Sequence, residues 1–223
     1  MPYIIPWGTA GGGNCPGQYT AFNINCGITP TAGIKEKGTT ILSSELRVNI
    51  TKGSENITSI QFLRNGSVIY SPTGGISNGG TFTYTELTPI TDTTTFSVRV
   101  SDGMTTRTCT NTYEFIHPIF MGPVVDRPPV SSIITGLNKQ LVKPTVVSHV
   151  YNGYGTYVGF FVPATEWSPL SRIQDENGFT ITNLFEVLSV NVDVNPGALN
   201  VPYRAYINWD IGIWENYTFT FTP

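Results

Sequence analysis

The stretch Thr93-Thr94-Thr95-Phe96-Ser97-Val98-Arg99-Val100-Ser101-Asp102-Gly103 alternates strictly between polar and apolar residues from 95 to 101. Phe96, Val98 and Val100 fall on one side, and Thr95, Ser97, Arg99 and Ser101 on the other. That period of two belongs to a strand with one buried and one wet face. Asp102-Gly103 ends it, because glycine tolerates positive φ and a short Asp side chain bonds the adjacent backbone. A polar-faced run over residues 104–115 returns from the turn. The hairpin reads as the last two strands of a small β-sandwich.

The segments before it fit that sandwich. Leu46, Val48 and Ile50 alternate with Arg47 and Asn49, and Ile60 and Phe62 share a face. Asn65-Gly66 is a type I′ hairpin signal, with residues 68–70 answering across it. Residues 72–80 form a glycine-rich loop, after which Phe82 and Tyr84 alternate with threonines. Short strands at such spacing indicate a sandwich. The Cys…Trp…Cys pattern of antibody domains is absent.

After the hairpin, residues 118–123 lead out of the domain, and Arg127-Pro128-Pro129 is expected to act as a stiff linker. Residues 157–162, between Gly155 and Pro163, form a nearly continuous apolar run and read as a buried strand. Asp175-Glu176-Asn177-Gly178 is a turn. Val190, Val192 and Val194 alternate with polar residues, residues 203–209 form another strand, and Tyr217, Phe219 and Phe221 close the chain. Residues 131–141 are the one helix candidate, against which Gly136 and the β-branched Ile133-Ile134 speak.

Composition agrees with an all-β fold. Of the 223 residues, 39% are hydrophobic and 12% charged, against about 25% charged in a typical protein. Thr, Ser, Asn and Gly, the residues of strands and turns, fill the difference. The net charge is −3, and scattered Lys and Arg lack the clustered footprint that nucleic-acid binding needs. No apolar run is long enough to span a membrane, and the N-terminus lacks the basic region of a signal peptide. Without one, the N-x-S/T sequons at Asn49, Asn56, Asn65 and Asn216 read as products of composition. Cys15, Cys26 and Cys109 are odd in number and contain no CxxC pair. They read as free thiols in a reducing compartment, with a Cys15–Cys26 bridge as the alternative.

Residues 1–34 contain no charged residue, yet they carry Tyr3, Ile4, Ile5, Trp7, Tyr19 and Phe22. Prolines and Gly11-Gly12-Gly13 forbid a helix, and a solvated linker would lack such aromatics. The apolar anchors need a surface: the chain's own domains, another copy, or a larger assembly. The expected division is therefore a docking arm (1–34), an immunoglobulin-like sandwich (35–117) and a second β-sandwich module (118–223).

Chemistry is sparse. His117 and His149 are the only histidines, too few to build a metal set with the scattered cysteines. GxSxG, HExxH, P-loop and GxGxxG motifs are absent. Asp175 and Glu176 invite a glycosidase reading, but such an enzyme needs two carboxyls about 5–10 Å apart across a cleft. Asp193, Asp210 and Glu215 are candidate partners that no spacing favours. The expectation is a protein without catalytic residues, metal or cofactor. Surface aromatics offer more, because Trp and Tyr are common at interfaces and over sugar rings. Trp209 reads as core. Tyr151 and Tyr154, flanking Asn152-Gly153, and Trp214, in an expected loop over residues 210–216, are candidate surface contacts.

The motif order Glu36-Lys37-Gly38-Thr39, Ile57-Thr58-Ser59-Ile60 and residues 94–103 resembles an immunoglobulin-like module of tailed-phage virion proteins, those of crAss-like phages among them. In that family an aromatic stretch like Pro118-Ile119-Phe120-Met121-Gly122 ends the module. A second module resembles Gly136-Leu137-Asn138-Lys139, residues 157–163, residues 170–179, Val201-Pro202-Tyr203-Arg204-Ala205-Tyr206 and Phe219-Thr220-Phe221. The resemblance covers residues 35–223 and implies a fibre or a head or tail appendage of a virion. Its implied partners are capsid or tail proteins, further copies of itself (a trimer first), and a host surface glycan, with no nucleic acid and no membrane. Two other readings stand beside it: a carbohydrate-binding or adhesion module of a bacterial surface protein, and a phage glycan depolymerase.

Overall fold

A computed structural model describes residues 18–195 and 198–223. In chain order the first strands are β1 (Asn23–Thr29), β2 (Gly33–Glu36), β3 (Ser44–Thr51), β4 (Ser59–Arg64), β5 (Ser67–Tyr70), β6 (Gly79–Glu86), β7 (Thr94–Ser101) and β8 (Thr106–Ile116). Then follow β9 (Ile119–Val124), the one-turn helix α1 (Ser131–Thr135), β10 (Asn138–Gln140), β11 (Val147–Pro163), β12 (Arg172–Gln174), a 3₁₀ turn at Thr182–Leu184, β13 (Phe185–Asn195), β14 (Ala198–Asn208) and β15 (Gly212–Thr222). The fold is all-β. No helix among the described residues is long and apolar enough to cross a membrane.

The chain divides into two compact units. The first comprises the residues up to Thr31, Ser44–Glu86 and Thr95–Asn111. It holds an antiparallel sheet β1-β3-β6 and most of the strands of a five-stranded sheet β2-β8-β7-β4-β5. The β2 strand runs parallel to the end of β8, Gly33 opposite Tyr113 through Glu36 opposite Ile116, and that pairing belongs to the second unit. The β1-β3-β6 sheet and the strands β4, β5, β7 and β8 make a β-sandwich.

The period-two patterns hold. Phe96, Val98 and Val100 are buried, as are Leu46, Val48, Ile50, Ile60 and Phe62. Positive φ at Asn65 (50°) and Gly66 (85°) gives the type I′ turn between β4 and β5. Asp102 Oδ1 accepts from the Met104 and Thr105 backbone N–H at 3.0 and 2.7 Å, which closes the β7–β8 turn.

The docking-arm boundary at residue 34 is corrected. β1 lies inside that stretch and pairs with β3 along its whole length, Ile24 opposite Ile50 and Ile28 opposite Leu46. Phe22 is fully buried, with the Arg107 guanidinium 5.8 Å from its ring centre. Tyr19 donates its hydroxyl to Asp102 Oδ2 at 2.7 Å. The Ser54 N–H donates to Thr20 O at 2.9 Å, and a Cβ on Gly53 would lie 2.0 Å from that oxygen, so only glycine admits this approach. Tyr19 and Phe22 are therefore satisfied within the first unit. Within the described part of the stretch, residues 23–29 are a paired strand and not a free arm. Tyr3, Ile4, Ile5 and Trp7 lie outside the described residues.

The free-thiol reading is corrected as well. Cys26 on β1 and Cys109 on β8 form a disulfide with Cα atoms 6.2 Å apart, joining the two sheets. Cys15 lies outside the described residues. The 83-residue separation of the pair hid it from sequence.

The second unit contains Ala32–Ser43, Leu87–Thr94 and Thr112–Pro223, so the expected boundary at 117/118 is also displaced. Its main sheet runs β10-β9-β11-β14-β13, with β15 paired to both β11 and β12. The long β11 changes partners along its length: residues 147–156 face β15, with bulges near Tyr151 and Tyr154, and residues 157–163 face β9 and β14. Phe160 and Phe221 stack at 4.0 Å in the core, around which Trp167, Tyr206 and Phe219 are buried. Residues 119–124, read as an exit from the first domain, are a buried strand. Arg127-Pro128-Pro129 lies within this unit and links no domains. The doubtful helix exists for one turn and stops at Gly136.

Candidate ligand-binding cleft

The β14 strand ends at Asn208, and β15 begins at Gly212. The intervening bend is held by the side chain of Asn208, which is buried. Its Oδ1 accepts the Val158 N–H at 2.6 Å, and its Nδ2 donates to Asp210 O at 2.6 Å. The Trp209 N–H donates to Leu184 O at 3.0 Å, tying the bend to the 3₁₀ turn. These bonds satisfy the buried amide and fix where the next side chains project.

The bend opens onto a cleft of about 290 Å³. Trp209, Trp214 and Tyr217 line it, with Phe185 and Phe219 also contributing and Asp175 and Asp210 as its carboxylates. Trp214 is held firmly: its Nε1 donates to Thr156 O at 2.8 Å. Its ring lies so close to Gly212 that an added Cβ would sit 2.7 Å away. Tyr217 meets Trp214 edge-on at 5.6 Å. Trp209 is braced differently. The Arg127 guanidinium lies 4.3 Å from its ring centre and is itself paired with Glu186. Trp209 remains 50% exposed, and Leu184, Ile211 and Ile213 nearby are exposed too.

The electrostatics are negative. Asp175 spends Oδ1 on the Asn177 and Phe179 N–H groups of its turn, at 3.0 and 2.8 Å. Burial pushes the Tyr217 hydroxyl pKa up, and the Asp175 and Glu176 carboxylates add to that rise. Ionised carboxylates only accept hydrogen bonds, so the cleft presents acceptors above an aromatic floor.

Of the three surface contacts expected from sequence, Tyr151 is corrected. It is fully buried, its hydroxyl donating to Gly159 O at 2.9 Å. Three residues on, Tyr154 falls on the opposite face of β11 and is 81% exposed. Trp214 lines the cleft, from a strand and not from a loop. Trp209, read as core, is at the surface because β14 stops one residue before it. The signal lay in Trp209-Asp210-Ile211-Gly212-Ile213-Trp214, two tryptophans around a short glycine-containing bend.

Elsewhere, His117 Nδ1 lies 2.5 Å from Glu166 Oε1. No group of three or more His, Cys, Asp or Glu among the described residues is placed to hold a metal ion. No protein-family model matches the chain, and no curated protein matches it either.

Proposed function

We propose that the protein is a structural component of a phage particle, a fibre or head or tail appendage whose second unit makes contacts with a host or with neighbouring virion proteins. The observation that carries this reading is the exposed aromatic cleft of the second unit, lined by Trp209, Trp214 and Tyr217. Large aromatics left at the surface and braced in position mark contact sites. The family resemblance over residues 35–223 supports the virion location. The Cys26–Cys109 bridge supports a working life outside the reducing cytoplasm. Residues 1–17 retain the docking role in this proposal, and the particle holds the chain as a homo-oligomer, a trimer first.

The second reading, an adhesion module of a bacterial surface protein, is favoured by the same disulfide, which suits any protein exported from the cytoplasm. Immuno-electron microscopy with an antibody to the purified chain separates the two. Label at one appendage of particles from the producing culture is the expected result. Label confined to the bacterial envelope overturns the virion proposal in favour of the adhesion reading.

A further inference from the structure

We infer that the cleft between the β14–β15 bend and the Asp175 turn binds the end of a neutral or amino-bearing saccharide. The inference rests on reading the second unit as a contact module, and it stands whether or not the contact is made from a virion.

Three features choose the ligand class. First, the walls are flat and rigid. A sugar ring has a face of C–H bonds whose partial positive charge complements the negative face of an aromatic ring. Trp209 keeps half its surface exposed while Arg127 braces the ring. Trp214 is fixed through Nε1 to Thr156 O. Such pre-set walls lose little freedom when a ligand settles.

Second, the polar groups ask for donors. Asp210 has no hydrogen-bond partner for its carboxylate among the described residues, and Asp175 has none for Oδ2. Carboxylates accept and do not donate, so a ligand rich in hydroxyl or ammonium groups satisfies them, whereas an apolar peptide side chain leaves them unpaired. The buried amide of Asn208 is already spent on Val158 and Asp210, so it sets the shape of the site and not its hydrogen-bonding.

Third, charge excludes the acidic glycans. Asp175 and Asp210 line the cleft, and Glu176 acts with Asp175 on Tyr217. Arg127, which lies against Trp209, is engaged by Glu186. Uronic, sialylated or sulfated chains meet the Asp175 and Asp210 carboxylates here, and the guanidinium beside Trp209 is already shared with Glu186. The volume, about 290 Å³, falls just under the usual range of ligand sites, about 300–1,000 Å³, which suits a chain terminus better than a chain interior.

The test uses the full chain and isothermal titration with chitotriose, mannotriose, a galacto-oligosaccharide, a glucosamine oligomer and, as acidic probes, hyaluronan and heparin tetrasaccharides. At least one neutral or amino-bearing probe is expected to bind. Trp209→Ala should weaken that binding about tenfold or more with an unchanged melting temperature, and Asp210→Asn should weaken it too. No binding by any neutral or amino-bearing probe overturns the inference. So does undiminished binding to the Trp209→Ala protein, or a preference for the acidic probes. Release of new reducing ends from a bound probe overturns it as a binding-only site. None of these results alters where the antibody label falls, so this inference and the virion proposal fail separately.

Discussion

Residues 18–34 and residues 209–217 both interleave aromatics and isoleucines with glycine, and they meet opposite fates. In the first, Phe22 is buried, and β1 finds a register partner on β3 for each of its residues. In the second, the bend between β14 and β15 has no strand beside it, so Trp209 and Ile211 stay at the surface. An uncharged aromatic stretch does not by itself announce a docking segment. A paired backbone can carry side chains inward at little polar cost, as at Phe22 and β1, but pairing alone does not bury them: Ile213 is paired with Tyr154 and stays exposed.

The strongest attack on that contrast is deletion. Removing residues 1–34 takes away β1, Phe22 and Cys26 together, and a unit whose net stability is only about 5–15 kcal/mol cannot lose an entire sheet strand and survive. The first unit's unfolding transition should vanish in calorimetry. Deleting only residues 1–17 should leave the melting profile unchanged and, on the virion proposal, abolish incorporation into particles. A cooperative first-unit transition in the longer deletion means that β1 is dispensable.

Single substitutions sharpen the same point. Phe22→Ala should cost about 3–5 kcal/mol, the usual loss for a buried phenylalanine, and Phe96→Ala should cost as much. Trp209→Ala and Ser97→Ala should each cost under about 0.5 kcal/mol, as surface changes do. Urea titrations that rank Trp209 with Phe22 place its ring in the core after all.

The disulfide comes next. Cys26→Ser/Cys109→Ser frees a loop of 83 residues in the unfolded chain, and should destabilise the first unit by about 2–4 kcal/mol. Thiol titration of the unfolded, unreduced protein should find one free cysteine where three would mean no bridge. Three free thiols, with no change in melting on reduction, remove the bridge from the fold.

Much of this framework was legible in the residues. Alternation located β3, β4 and β7, and Asn65-Gly66 and Asp102-Gly103 fixed two turns, because these signals depend only on local backbone geometry. What failed was non-local. The partners of β1 lie on β3, beyond the whole of β2, and the partner of Cys26 lies 83 residues on. Tyr151 and Tyr154 were both expected at the surface, but residues three apart on a strand face opposite sides, so only Tyr154 stays exposed while Tyr151 is buried. The cleft joins Asp175 to Trp209 and Trp214 through folding alone, and no spacing in the chain encodes that meeting.

The smallest effect is a pH dependence at Asp102, the residue that ends the stretch on which the fold reading rests. Burial pushes its carboxyl pKa up, but the Thr105 N–H, the Tyr19 hydroxyl and the Met104 N–H bond the charged form, and the net shift is downward. The folded state therefore holds this proton more weakly than the unfolded chain. The resulting stability is fully present above the unfolded pKa, near 3.8. It is lost as the pH falls from there through the lower folded value. Urea titrations between pH 6 and pH 2.5 should show the wild type losing first-unit stability over that acid range faster than Asp102→Asn, whose amide cannot titrate. Tyr19→Phe removes one of the bonds to the charged form and should reduce the slope without abolishing it. Parallel profiles for all three proteins mean that the carboxylate contributes nothing as a charge, and that the turn is held by Gly103 and the strand pairing alone.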